Sequence, residues 1–222
     1  MKRTIIVAHS GCEGTVPGSL EYILTALKWK ADFIEVDLRL YDGEIYLAHD
    51  PIDVNRLDTY LTFRHVLELV VPEKIGLNCD LKEKEVFEPV LRLLREYGME
   101  ERTVFTGEYW VETDRKAKYK YYLNTTCSGI KSDAEIINES DADRMIYFYN
   151  NSKDQAFDAF NLDYRNITNE AEKKLFDAGV RFCFWTVDNL KEIERMLKDG
   201  VYAITTNLLS EAISARLRIQ DE

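Results

Sequence analysis

The stretch FIEVDLRLYDGEIYLAHD, residues 33–50, decides the fold because it begins as a buried strand and then departs from one. Phe33, Ile34, Val36 and Leu38 suit a sheet interior. Glu35 and Asp37 lie two positions apart, so on a strand they share one face. After a Tyr41-Asp42-Gly43 turn the chain arrives at His49 and Asp50. A strand that sets two carboxylates side by side, with a histidine following behind a turn, needs a reason beyond packing.

Outward from this stretch, short β-branched and aromatic runs alternate with amphipathic ones along the whole chain. The pattern predicts strands at 4–8, 33–38, 75–81, 103–106, 119–123, 160–163, 181–186 and 202–205. Helices are expected at 19–30, 61–70, 84–97, 109–116, 133–140, 169–178 and 190–198. Gly98, Gly179 and Gly200 fit as C-caps, and Asp188 or Asn189 as the N-cap of the helix beginning at Leu190. The run DADRMIYFYNN, residues 141–151, reads equally as helix or strand. Eight strands alternating with helices indicate a parallel α/β fold. A closed (β/α)8 TIM barrel fits the count, and a doubly wound open sheet competes with it. With no Pro/Gly/Ser linker and no low-complexity tract, one domain over residues 1–222 is expected.

Composition narrows the function. The chain has 222 residues, 45 % of them hydrophobic, enough for a sizeable core. Its formal net charge of −11, from 29 basic and 40 acidic residues, argues against binding a nucleic-acid backbone. The four cysteines are scattered without a CxxC pair and read as reduced, buried thiols. The apolar run at 5–8 is too short for a signal peptide, and nothing approaches the roughly 18 apolar residues of a membrane span. The expectation is a soluble, cytoplasmic protein.

In a parallel barrel the C-terminal strand ends converge on one face, where active sites form. The first predicted strand runs into His9, the second carries Glu35 and Asp37, and the third ends in Asp80 and Lys82, again two apart. Each has a plain structural alternative: a hydrogen-bonded histidine, a helix cap, the wet face of an edge strand. Their coincidence at three strand ends favours a site. Of three histidines, His9 and His49 fall in this set, while His65 sits within a predicted helix and reads as structural. Bare carboxylates at about 4 Å repel by several kcal/mol at an effective dielectric near 20. Either one is protonated or a cation sits among them, and oxygen ligands favour Mg²⁺ or Ca²⁺. Two imidazoles near such an ion suit acid–base catalysis, and a lysine suits a phosphate.

These residues resemble the glycerophosphodiester phosphodiesterases. VAHSG at 7–11 stands where that family opens with His-Arg-Gly. ADFIEVDLRLYDGEIYLAHD at 31–50 follows its pattern, including the Glu-x-Asp pair and the later His-Asp. NCDLK at 78–82 resembles its Glu-x-Lys segment, AGVRFCFWTVDN at 178–189 its penultimate strand, and DGVYAITTN at 199–207 its last.

The resemblance implies a (β/α)8 barrel and hydrolysis of a small-molecule phosphodiester to glycerol 3-phosphate and an alcohol. It implies Glu35, Asp37 and Asp80 as ligands of Mg²⁺ or Ca²⁺, His9 and His49 as the acid–base pair, Lys82 on the phosphate and Trp185 as a pocket wall. The departures are Ser10 at the position of a phosphate-binding arginine, PGSL at 17–20, and Asn207 in place of an aspartate. Arg39, on the face of Asp37, is a candidate replacement for the missing guanidinium. The short span from Asp50 to Asp80 leaves no room for the small subdomain many members insert. The same site is similar to that of phospholipase-D-like lyases, which release a cyclic phosphate. A catalytically silent phosphoester-binding relative is the third reading.

Overall fold

The computed structural model describes residues 3–107, 117–152 and 156–221. Its strands are β1 (Ile5–Ala8), β2 (Phe33–Tyr41), β3 (Glu44–Leu47), β4 (Gly76–Leu81), β5 (Thr103–Gly107), β6 (Lys120–Asn124), β7 (Phe157–Asp163), β8 (Phe182–Trp185) and β9 (Ala203–Thr206). All pairings are parallel except β2 with β3. β1 pairs with both β9 and β2, through Ile5 to Ala203 and Val7 to Phe33, so the sheet closes on itself. The fold is a (β/α)8 barrel of eight parallel strands, with β3 added outside the ring as the return arm of a hairpin.

The helices are α1 (Leu20–Lys28), α2 (Phe63–Val70), α3 (Phe87–Glu96), α4 (Glu139–Asn151), α5 (Asn169–Asp177), α6 (Leu190–Asp199) and α7 (Leu209–Gln220). Each start that carries a polar cap does so locally: Ser19, Thr62, Asn138, Thr168 and Asn189 all accept backbone N–H groups from the first turn of their helix. Gly98, Gly179 and Gly200 follow α3, α5 and α6 with positive φ, as read from the sequence.

Two helix expectations need correction. No helix covers 133–140. Ile137 bridges instead to Ile167, and Asn138 forms a capping box with Asp141. That box starts α4 where the expected helix would have ended, and it resolves 141–151 as helical. α7 was not anticipated, although Leu209, Ala212, Ala215 and Arg216 are buried along it. The helix expected at 109–116 lies outside the described residues. Among the described residues, no helix is long and apolar enough to cross a membrane. Between Asp50 and α2 the chain makes only a short 3-10 turn (Val54–Thr59), so no subdomain is inserted there.

Inside the ring, Val104, Tyr122, Ala159, Cys183 and Ala203 from five consecutive strands form an apolar plug, joined by Ile5 and Phe33. A Cβ on Gly76 would lie 2.4 Å from the Phe33 ring, so glycine there makes room for the ring to fill the barrel. Strand side chains alternate sides, so the next inward positions are Thr106, Asn124, Asn161, Trp185 and Thr205. Those five are polar or amphipathic and line the cavity at the barrel mouth. The apolar floor thus changes to a polar mouth within one repeat of the pleat.

The ring is tied at its seam by Arg216 of α7. This side chain is 2 % exposed. It donates to the Thr4 carbonyl at 3.0 Å and pairs with Asp32, whose Oδ2 also accepts the Ile6 N–H at 2.7 Å. Removing one member of a buried pair strands the other charge. Asp32→Ala is therefore expected to cost about 3–5 kcal/mol of unfolding free energy in urea titrations. A loss no greater than that of an exposed pair, at most about 1 kcal/mol, would show that Arg216 reaches solvent on its own.

Candidate active site

The register of β2 on β4 sets the centre of the site. Glu35 pairs with Asn78 and Asp37 with Asp80. On parallel neighbours these four side chains point the same way, into the mouth. His9 follows β1, and its N–H donates to the Thr206 carbonyl at 3.0 Å. The buried Tyr22 hydroxyl lies 2.8 Å from the Ala8 carbonyl and 2.7 Å from that of Glu35, which locks the ends of β1 and β2 together.

His49 comes back to the carboxylates through the β2–β3 hairpin. Leu38 pairs with Leu47, and the Ala48 N–H donates to the Asp37 carbonyl at 3.0 Å. The next residue therefore stands beside Asp37. Positive φ at Asp42 and Gly43 makes the tight reversal possible. Arg39 braces this return: its Nε and Nη2 donate to the His49 carbonyl at 3.1 and 2.8 Å, and its Nη1 faces Glu83 at 3.4 Å.

The cavity at the mouth measures about 320 Å³. His9, His49, Glu35, Asp37, Asp80, Lys82 and Trp185 all line it, so seven of the nine residues singled out in the sequence meet there. Ser10 and Arg39 do not. Ser10 is buried, with its Oγ accepting the Gly18 N–H at 3.1 Å, and the Arg39 guanidinium is committed to His49 and Glu83. Neither takes the place of a phosphate-binding arginine. His65 is exposed on α2, away from this set.

Lys82 Nζ lies 2.9 Å from Asp37 Oδ1 and 2.6 Å from Asp80 Oδ2. Burial opposes its charge, but Asp80 and then Asp37 outweigh that and hold the ammonium above its ordinary pKa. One cation does not serve three acids. Burial, then Asp80 and Asp37, push the Glu35 carboxyl well above the usual range. Burial also raises Asp80, against the pull of Lys82. Glu35 Oε2 and Asp80 Oδ1 are buried without a hydrogen-bond partner. Two orphaned carboxylate oxygens fit a hard, oxygen-preferring cation. With Lys82 seated between Asp37 and Asp80, the side chains as they stand form no ready group of three or more His, Cys, Asp or Glu donors among the described residues. Gly107 closes the far side of Asp80. It has φ of 109°, and a Cβ there would lie 2.5 Å from Asp80 Oδ1.

His9 is oriented by Asn207, which the sequence offers only as a departure from the family pattern, and by Asp188, which it offers only as a helix cap. Asn207 Nδ2 donates to Asp188 Oδ2 at 2.7 Å, and the Asn207 N–H donates to Asp188 Oδ1 at 2.8 Å. With its amide fixed this way, Asn207 presents Oδ1 to His9 Nδ1 at 2.9 Å. An acceptor there requires the hydrogen on Nδ1 and leaves Nε2, 4.0 Å from Glu35 Oε2, as the ring's free nitrogen. Asp188 had been considered a helix cap, a role Asn189 fills. Position just past β8 and β9, next to the His9 strand, was the usable signal. Asn124, Asn161 and Asp133 also line the cavity and carried no motif.

The raised Glu35 pKa has a measurable consequence. The folded protein holds that proton more readily than the unfolded chain, so stability is greatest below the ordinary value of 4.5 and falls as pH rises through the raised one. Glu35→Gln escapes this loss. In divalent-free buffer the two proteins should melt together near about pH 4. Toward pH 8 the variant should melt higher, by about 2–4 °C for each kcal/mol relieved. Parallel melting profiles would mean that Glu35 ionises freely in the fold.

No family model matches the chain. A curated glycerophosphodiester phosphodiesterase of Caldanaerobacter subterraneus subsp. tengcongensis is 24 % identical, over 92 % of this chain and 94 % of that protein. Among solved structures, a glycerophosphodiester phosphodiesterase from Parabacteroides distasonis superposes with a TM-score of 0.73 at 17 % identity, covering 97 % of this chain and 98 % of the other. An Oleispira antarctica phosphodiesterase in complex with the product sn-glycerol-3-phosphate gives 0.70 at 15 % identity, covering 95 % and 96 %. The chain is thus similar in sequence to a curated glycerophosphodiester phosphodiesterase and similar in fold to solved ones.

Proposed function

We propose that the chain is a metal-dependent phosphoric diester hydrolase that converts a small glycerophosphodiester to glycerol 3-phosphate and an alcohol. One observation carries this reading: three carboxylates, two imidazoles and a lysine from separate strands and loops share one cavity at the barrel mouth. The product bound by the Oleispira relative is what such a cleavage releases.

Glu35, Asp37 and Asp80 would hold Mg²⁺ or Ca²⁺, which supplies positive charge against the phosphoryl oxygens. With an ion held there, Asp37 and Asp80 would no longer depend on Lys82 as their counter-charge. Lys82 can then face the phosphate, and among the described residues it is the one lysine or arginine lining the cavity. Trp185 walls the far side. His9 Nε2, left without a hydrogen by the Asn207 bond, is placed to accept a proton from attacking water. His49 faces Asp50 Oδ1 at 3.1 Å through Nδ1 and would protonate the departing alkoxide.

The test uses purified protein with glycerophosphocholine and glycerophosphoethanolamine, with Mg²⁺ or Ca²⁺ added and then chelated. Alcohol release should need the ion, and His9→Ala should lower kcat by about 10²–10⁴-fold. Phosphorus NMR should show glycerol 3-phosphate from the start. A persistent cyclic ester would instead assign the lyase reaction, and tight ion binding without turnover of any diester would sink the enzyme.

A further inference from the structure

One carboxylate in the cavity stands outside the acid–lysine cluster. Asp133 lies on the segment after β6, and β5 separates β6 from β4, so it occupies the rim about a quarter of the way round the ring from Asp80 and Lys82. Its position is built. Thr125 Oγ1 and the Thr126 N–H donate to Oδ1 at 2.6 and 3.1 Å, the Asp133 N–H donates to Thr126 Oγ1 at 3.0 Å, and Asn166 Nδ2 donates to its carbonyl at 2.9 Å.

All of these bonds use Oδ1 or the backbone. Among the described residues none reaches Oδ2, and no lysine or arginine pairs with the group. The nearby cations are engaged elsewhere, Lys131 with Asp141 at 2.7 Å and Arg165 with Asp163 at 2.6 Å. A rigidly held carboxylate without a counter-ion thus faces the space that a substrate must fill. Covering it with a neutral alcohol would offer at most a hydroxyl donor and leave the charge unneutralised, and an anionic alcohol would be repelled. An ammonium group would supply the missing charge. The indole of Trp185 on β8, lining the same cavity, offers a cation a second favourable surface.

We propose that Asp133 is a specificity residue that selects phosphodiesters whose alcohol carries an ammonium group, as amino-alcohol esters do. This rests on the hydrolase reading and deepens it: the phosphate lies toward Lys82 and the alcohol extends along the rim to Asp133.

The experiment compares kcat/KM for glycerophosphoethanolamine, glycerophosphocholine and glycerophosphoglycerol in the intact protein and in Asp133→Asn. Asparagine keeps an Oδ1 acceptor for Thr125 and Thr126, so the segment retains its clamp. The native protein should prefer the two ammonium esters by about tenfold or more, the range of a charge-assisted contact, and the variant should lose most of that ratio. A merely structural Asp133 would lower all three substrates in proportion, and that result overturns the proposal. So does a native protein that turns over all three alike, which leaves the hydrolase intact. No turnover of any of them removes both readings together.

Discussion

The site depends on how Glu35, Asp37 and Asp80 are kept close together. Two like charges about 4 Å apart repel by roughly 4 kcal/mol at an effective dielectric of 20, and partial burial sharpens this. Lys82 bridges Asp37 and Asp80 and removes part of the cost. Glu35 answers with a pKa driven up by burial and by its neighbours. The arrangement is stable enough to fold and still poorly satisfied, with two oxygens lacking partners. Active sites commonly carry such stress.

The barrel supplies that stress through register. Because β2 and β4 are parallel and in step, a two-residue spacing on each strand becomes a pairing between strands. The inward positions change from Val104, Tyr122 and Ala159 to Thr106, Asn124 and Asn161 within one repeat, so the apolar plug that stabilises the ring is also the floor of the cavity. The hairpin of β2 and β3 then returns the chain to the same level and sets His49 next to Asp37.

The departures from the family pattern acquire physical meaning in this frame. Ser10 at the arginine position is buried and shapes the loop through Gly18, and Arg39 supports the His49 backbone. The cavity is therefore short of positive charge, with Lys82 opposed by four carboxylates once Asp133 is included. Asn207 is built into the site, because Asp188 fixes its amide and that amide faces the ring of His9.

Much of this was legible in the sequence. All eight barrel strands could be placed, because β-branched and aromatic runs punctuated by glycines are local signals. The convergence of His9, Glu35, Asp37, His49, Asp80, Lys82 and Trp185 was also readable, since period-two spacing at strand ends needs only parallel pairing to become a site. Other features were decided by the fold alone. Asn138 begins α4 directly after the bridge of Ile137 to Ile167, a partner distant in the chain. Arg39 and Ser10 look like cavity residues until their hydrogen bonds are seen. Asp133 carries no motif, Asp188 and Asn207 lie in motifs that do not reveal their pairing, and the roles of all three come from segments that meet only when the ring closes. Spacing along a strand fixes which way a side chain points, whereas what it meets there is set by segments far away in sequence, and for that the chain must first be folded.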